Sequence, residues 1–532
     1  MKGLYQKFTD ILIGIIRQEY QVEIELPLWE LPAKQEFGDL SSMAALKLAS
    51  KLKGDPLEIA GHLKAELEKV IHDKVEKIEV LKPGFINIFL SREVLINSLK
   101  ELLANDESFF RQVRPRKILL EFASANPTGP LSIAHGRQAV VGDVMANILK
   151  FFGNEVTKEY YVNDAGRQID LFVESVTQRI KEIRGEPFQM PEKGYLGDYV
   201  KDIAQVALDG AVQPADMRAF VLKYNLDLIK KDLSALGIEF DNWLSQQKLL
   251  DEKRVDDAIA ALKEKSYLYE KEDALWFETT KLGDDKDRVI KKNDGELTYF
   301  ASDIAYHRNK LERGFDALIN LWGPDHHGYI ERVKASIQAL GYQRESLRII
   351  IIQLVTIKTK ERMSRRKGTA ILLSDLTSDV GKDTARFYYL VRKNSSLLEF
   401  DLDLAHEASF NNPYYYIQYS CARIESIFAK AGKDRSPERF CDFLDSEEEL
   451  SLVRMILQFY YCIEKAYFSL EPVFIIEYLK ALAAMFHKFY ELKRIVGEEE
   501  NIMAARLNLL YATRMVFHCA LKLVGITPVK KM

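Results

Sequence analysis

The sequence predicts an α/β protein of several domains: a doubly wound parallel-sheet domain interrupted by an insertion, a small α/β domain before it, and an all-α helical bundle after it. Three observations point there. Two strand–helix–strand patterns, Ile118 to Val162 and Ala317 to Ile357, stand apart in the middle of the chain. Short alternating runs mixed with amphipathic helices precede them, and only long helical runs follow Asn411. A length of 532 residues with 47% hydrophobic content can fill several such cores.

In the first domain, residues 1–110, Tyr5 to Glu19 sets Phe8, Ile11, Leu12 and Ile15 on one helix face. Met43 to Leu52 is helical again. Val75 to Val80 and Gly84 to Leu90 read as strands, the second alternating Phe85, Asn87 and Phe89, and Ser91 caps a helix through Leu103. Arg-Pro-Arg-Lys at 114–117 is the linker into the central domain, residues 111–405.

The central domain opens with a strand, Ile118 to Phe122. A turn rich in Pro and Gly follows, then a helix from Arg137 to Phe152 with His135 where it begins. Gly153-Asn154 forms the C-cap, and Glu155 to Val162 is the next strand. An insertion of helical and mixed character runs from about 166 to 288. The second half has a helix from Thr298 to Arg313, the strand Ala317 to Trp322, and a turn Gly323 to Gly328. A helix to Leu340, a stop at Gly341 and the strand Arg348 to Ile357 complete it. Residues 406–532 carry the bundle helices Tyr414 to Ala431, Leu450 to Tyr467, Ile475 to Glu491 and Ile502 to Val524.

Composition narrows the function. A net charge of -4 means that any nucleic acid is held by local basic patches, not by an overall positive field. Cys421, Cys441, Cys462 and Cys519 form no CxxC pair, so neither structural zinc nor a disulfide framework is expected. The N-terminus has no long apolar stretch, and no run of about 18 apolar residues occurs. A cytoplasmic protein with no membrane partner is expected.

Several patterns carry chemistry. In Glu121-Phe-Ala-Ser-Ala-Asn-Pro-Thr-Gly-Pro-Leu-Ser-Ile-Ala-His135-Gly-Arg137, a turn feeds a helix N-terminus, whose free N–H groups and dipole suit a phosphate. His135 adds a donor, although an ordinary strand–turn–helix with an incidental histidine reads the same way. The basic run Lys358 to Thr369 follows an apolar strand and contains Arg362-Met363-Ser364-Arg365. Its cations could stabilise developing phosphate charge, and such a run is also what a solvated loop looks like. Tyr299 and Asp303, four apart, share one helix face, where a capping or surface carboxylate fits the spacing equally well. In Gly323-Pro324-Asp325-His326-His327-Gly328 the adjacent histidines point different ways with no third ligand near, so no metal site is expected. Asp325 could cap the next helix. Asn163, after the strand Glu155 to Val162, reads as a helix N-cap as readily as a site residue. In the bundle, Asn412-Pro-Tyr-Tyr-Tyr416-Ile-Gln418-Tyr419 offers rings for unstacked bases, one or two facing RNA and the others packing inward.

Taken together these segments resemble arginyl-tRNA synthetases, which are class I aminoacyl-tRNA synthetases, over essentially the whole chain. Ser-Ala-Asn-Pro-Thr-Gly-Pro-Leu and His135 match the family's first signature, His-x-Gly-His, with Ser132 for its first histidine and Ala134 for its glycine. Arg362-Met363-Ser364-Arg365 stands for Lys-Met-Ser-Lys. Thr298 to His307, Tyr195-Leu-Gly197-Asp-Tyr199 and the N-terminal Glu36-Phe-Gly38-Asp39 match as well.

The resemblance implies a Rossmann-type catalytic domain, an N-terminal domain touching the outer corner of tRNA, and an anticodon-binding bundle. It implies that L-arginine is activated with ATP and Mg2+, then passed to the 3′-terminal ribose of the tRNA for arginine by a monomer. Members of the family generally need bound tRNA for the activation step. Position by position, Asp303 and Tyr299 would grip the guanidinium, Ser124 and Asn126 the α-amino and carboxylate ends, with Glu121 beneath. ATP would contact Pro127, Thr128, Gly129, Leu131, Ala134, His135, Gly323, Asp325 and His326. Catalysis would draw on Ser132, His135, Arg362, Met363, Ser364 and Arg365. Tyr416, Gln418, Tyr419 and Arg423 would meet tRNA.

Overall fold

A computed structural model describes residues 2–25, 28–32, 35–110, 115–358 and 371–532. The basic signature residues Arg362, Met363, Ser364 and Arg365 lie outside the described residues. The chain forms two compact units, Val113–Glu407 and, from both ends of the sequence, Met1–Gln112 with Ala408–Met532.

The central unit is built on five parallel strands. They are β1 (Lys117–Glu121), β2 (Glu155–Val162), β3 (Asn242–Ser245), β4 (Ala317–Trp322) and β5 (Leu347–Ile351), in the order β5-β4-β1-β2-β3. The chain thus works outward from β1 in one direction and returns to work outward in the other, so β1 and β4 flank the switch point. Ile118, Leu119 and Leu120 are all buried, as expected of a parallel strand covered on both faces. Helix α1 (Ile133–Phe151) links β1 to β2. Its Gly142 lets it sit close on the sheet, since a β-carbon there would lie 2.3 Å from Phe122 Cγ. Helix α2 (Tyr299–Glu312) leads into β4, and α3 (Ile330–Ala339) joins β4 to β5.

Two segments depart from the sequence reading. The stretch expected as one strand from Arg348 to Ile357 is two. β5 stays in register with β4 until Ile351 pairs with Trp322, where β4 runs out into the Gly323-Pro324 turn. The chain then changes partner, and β6 (Val355–Lys358) pairs in parallel with β7 (Leu398–Asp401). The buried Arg137 guanidinium fixes this crossing by donating to the Gln353, Lys393 and Ser396 carbonyls. The second departure is β3, which lies within the expected insertion yet extends the main sheet by pairing with β2. The rest of the insertion supplies helices Arg167–Ile183, Asp198–Asp209 and Met217–Ala235, and a three-stranded antiparallel sheet between Leu268 and Lys291.

In the other unit, a four-stranded antiparallel sheet packs with helices Lys2–Tyr20, Ala44–Leu52, Pro56–Ile71 and Arg92–Asn105. Helix Pro56–Ile71 was not anticipated, although its start is marked by the Asp55 carboxylate, which accepts from Leu57 N–H, and by Pro56 at N1. Ser91 caps Arg92–Asn105 as expected. The bundle helices are Pro413–Ala431, Glu447–Ser469, Val473–Leu492 and Glu500–Leu523. The two ends of the chain share a core: the Phe110 and Phe459 rings meet at 5.0 Å, and Arg454 lies 3.1 Å from the Asp39 carboxylate. Among the described residues no helix is long and apolar enough to cross a membrane.

Candidate active site at the sheet switch point

A cavity of about 460 Å³ opens where the C-terminal ends of β1 and β4 diverge, the place where open α/β sheets hold ligands. Of the residues expected in the site, Glu121, Ser124, Asn126, His135, Tyr299, Asp303, Gly323, Asp325 and His326 line it. Pro127, Thr128, Gly129, Leu131, Ser132 and Ala134 are not among its lining residues. Pro127 and Leu131 are buried, and the turn they form delivers the N-terminus of α1.

The floor is a buried charge network. Glu121 ends β1 and accepts from Lys310 Nζ at 2.6 Å. Lys310 also donates to Asn320 Oδ1, and Asn320 Nδ2 lies 2.9 Å from His307 Nε2. Burial, reinforced by Lys310, pushes the His307 pKa down to about 3, so the ring is neutral. Its Nδ1, 2.8 Å from the Asp303 carbonyl, then carries the proton and Nε2 accepts from Asn320. Behind them Tyr306 stacks on Tyr161 at 4.0 Å and donates to Glu159, which Arg313 also pairs at 2.7 Å.

Asp303 projects from the second turn of α2. Its Oδ2 accepts from Tyr329 O–H at 2.7 Å, yet its pKa is raised to about 7. Loss of hydration is the main cause and Glu121 adds to it; Lys310 and Arg332 oppose the shift without cancelling it. The cavity therefore has a carboxyl group that lacks a full countercharge. Tyr299, one turn earlier, sits at the mouth with 58% of its surface exposed.

Ala123 adopts a positive φ of 55° while buried, a strained residue that redirects the chain as it leaves β1. Ser124 Oγ thereby accepts from Tyr161 N–H, and Asn126 donates to Gln168. His135 occupies the third position of α1. Its Nδ1 accepts from Ser132 N–H at 3.1 Å, with Ser132 Oγ equally close. Burial holds its pKa below the usual histidine range, Asp325 opposing. A neutral ring whose Nδ1 accepts has its proton on Nε2, which leaves a donor on a residue that lines the cavity. Asp325 does not cap the following helix; its carboxylate lies 3.4 Å from His326.

Gln138, Tyr161, Asn163, Gln168, Gln246, Trp322 and Tyr329 also line the cavity. Gln138 was legible as one turn beyond His135 on α1; the spacing of Tyr329 or Gln246 gave no signal. Among the described residues no group of three His, Cys, Asp or Glu side chains is arranged to hold a metal.

In the bundle, Tyr416 stacks on His487 at 4.4 Å and Tyr419 lies 5.6 Å from the same ring. Arg423 reaches the Tyr419 hydroxyl and lies over the Tyr490 ring. Gln418 is buried; it donates to the Thr527 carbonyl and accepts from Val529 N–H, so its amide is paired with the C-terminal tail.

Three family models match the chain in order. They are an arginyl tRNA synthetase N terminal domain over residues 4–90, a class I tRNA synthetase (R) catalytic domain over 98–401, and a DALR anticodon binding domain over 417–532. The arginine–tRNA ligase of Carboxydothermus hydrogenoformans is 39% identical across 100% of both chains. That of Aquifex aeolicus is 39% identical over 98% of this chain and 99% of its own. The Thermus thermophilus arginyl-tRNA synthetase structure superposes with a TM-score of 0.82 over 99% of this chain and 100% of its own, at 19% identity, a likeness of fold. With near-40% identity from end to end and the catalytic model spanning the cavity, this chain belongs to the arginyl-tRNA synthetases, the class I arginine–tRNA ligases.

Proposed function

We propose that the cavity binds L-arginine and ATP side by side, makes arginyl-adenylate, and passes arginine to the 3′-terminal ribose of the tRNA for arginine. The observation that carries this is the presence of Asp303 and His135 in one cavity: an undercompensated carboxyl group for a guanidinium, beside a neutral donor at a helix N-terminus for a phosphate.

Arginine enters guanidinium first. Asp303 takes its charge, Tyr329 holds the carboxylate in place, and Tyr299 covers the mouth. Glu121, partly neutralised by Lys310, faces the α-amino group together with Ser124 and Asn126. The arginine carboxylate oxygen attacks the α-phosphorus of ATP as the bond to pyrophosphate breaks. His135 Nε2–H and the turn 127–131 with the α1 N-terminus stabilise charge on the phosphate oxygens. Gly323, Asp325 and His326 border the adenosine. Arg362, Met363, Ser364 and Arg365 supply charge to the departing pyrophosphate. Ser132 orients His135, and its family counterpart's charge is replaced by these arginines. Magnesium would arrive with ATP and would offset phosphate charge, with no protein cage required. In the second step a ribose hydroxyl attacks the arginyl carbonyl and AMP leaves. No side chain forms a covalent bond; catalysis is positioning and charge stabilisation.

Three regions divide the labour: 1–110 against the outer corner of tRNA, 111–405 for chemistry, and 406–532 for the anticodon through Tyr416, Tyr419 and Arg423. The protein works as a cytoplasmic monomer. Aminoacylation with ATP, total tRNA and a panel of amino acids tests the reading. Charging with arginine alone supports it; tRNA binding with no charging would make the chain a binding module, and charging with another amino acid would reassign the pocket.

A further inference from the structure

The Tyr195-Leu-Gly197-Asp-Tyr199 segment lies in the insertion, outside the cavity, and its last residue reaches the turn beside the cavity. Tyr199, in the first turn of helix Asp198–Asp209, donates its hydroxyl to the Thr128 carbonyl at 2.9 Å. The ring also covers Gly129: a β-carbon there would lie 3.2 Å from Tyr199 Cζ and from its hydroxyl oxygen. A side chain at 129 would therefore press the ring away by a few tenths of an ångström. Behind the ring, Phe172 packs at 6.2 Å, part of the insertion's own core. A second insertion helix reaches the same turn, where Asp232 of Met217–Ala235 accepts from Leu131 N–H.

These contacts matter because of peptide geometry. In a trans amide the N–H points opposite to the carbonyl, so fixing the Thr128 carbonyl on Tyr199 directs the Gly129 N–H to the other side of the turn. The insertion therefore bears on the orientation of the Thr128–Gly129 peptide.

We propose that Tyr199 is a positioning residue for ATP, holding the Thr128–Gly129 peptide in its ligand-binding orientation from outside the cavity. This rests on the reading of turn 127–131 as part of the ATP site. Steady-state aminoacylation by the full chain, with ATP and arginine varied separately, tests it. Tyr199→Phe raises the ATP KM about three- to tenfold, the size of one neutral hydrogen bond, and leaves the arginine KM unchanged. Tyr199→Leu raises it further. Gly129→Ala raises it alone, and the Gly129→Ala/Tyr199→Leu double variant loses less than the product of the two, because the ring that clashes is gone. Equal changes in both KM values, or a fall in melting temperature with KM unmoved, would overturn the positioning role. If Gly129→Ala and His135→Ala also leave the ATP KM unmoved, the reading of the turn itself fails, a different result from Tyr199 alone being silent.

Discussion

Lys310 is fully buried with its ammonium 2.6 Å from Glu121 Oε2, joining α2 to the end of β1 beneath the cavity. The pair satisfies Glu121, while Asp303 accepts from the Tyr329 hydroxyl and keeps a raised pKa, a carboxyl group open to a cationic substrate.

Lys310→Met strands the Glu121 charge among buried groups. The cost of breaking such a pair is about 3–5 kcal/mol. A clear drop in thermal midpoint is expected, and pairing the change with Glu121→Gln restores much of it. A single variant as stable as the parent would show that the pair contributes little.

Arginine use should depend on pH through Asp303. With its pKa at about 7, the empty site is mostly protonated at pH 6 and mostly ionised at pH 8, so the arginine KM falls across that interval and levels above it. Burial displaces the His135 pKa downward, away from that interval.

The same carboxyl group sets a stability trend. Its folded-state pKa lies above the ordinary value of 3.8, so its favourable contribution is present below about pH 4 and lost as pH rises through about 7. Asp303→Asn should raise the melting temperature more at pH 8 than at pH 5, while arginine charging falls by about 10² or more. Thermal scans at the two pH values check the first claim, and an unchanged difference between them would refute it.

How far the sequence carried the reading follows from where each signal resides. The β1–α1–β2 unit was readable because its apolar runs, N-terminal turn and Gly153 lie within one local window. Lys310 was invisible as Glu121's partner because nothing local announces a contact across 189 positions. The strand Arg348 to Ile357 read as continuous since Ile and Val recur throughout it; its break is imposed by the end of β4, a tertiary cause. β3 has only four half-buried residues and no alternation to betray it. Gln418 looked like a base reader because an amide among tyrosines has the right chemistry, and only the tail's return shows it already satisfied.

At His135, tRNA-dependent pyrophosphate exchange separates the donor from its support. His135→Ala should lower the rate about 10²- to 10³-fold, as loss of a preorganised donor does. Ser132→Ala should cost less than about tenfold, since the Ser132 backbone N–H still fixes Nδ1. Ser132→His should alter the rate modestly, and a large gain would show that a missing charge limits this protein.

Gln418→Ala should free residues 527–529 without removing an RNA contact. Faster amide exchange in that tail with little change in tRNA affinity is expected, whereas Tyr419→Ala should weaken tRNA binding; the reverse ranking would return Gln418 to the interface.

The shared core of residues 1–112 and 408–532 also bears on how the molecule is made. On a ribosome the first segment emerges long before Phe459 and Arg454 exist to cover Phe110 and Asp39. The middle unit can close while its predecessor is still waiting, so assembly runs from the inside of the chain outward. A nascent polypeptide stalled before the final helices would display an unsheltered apolar face, a natural target for chaperones.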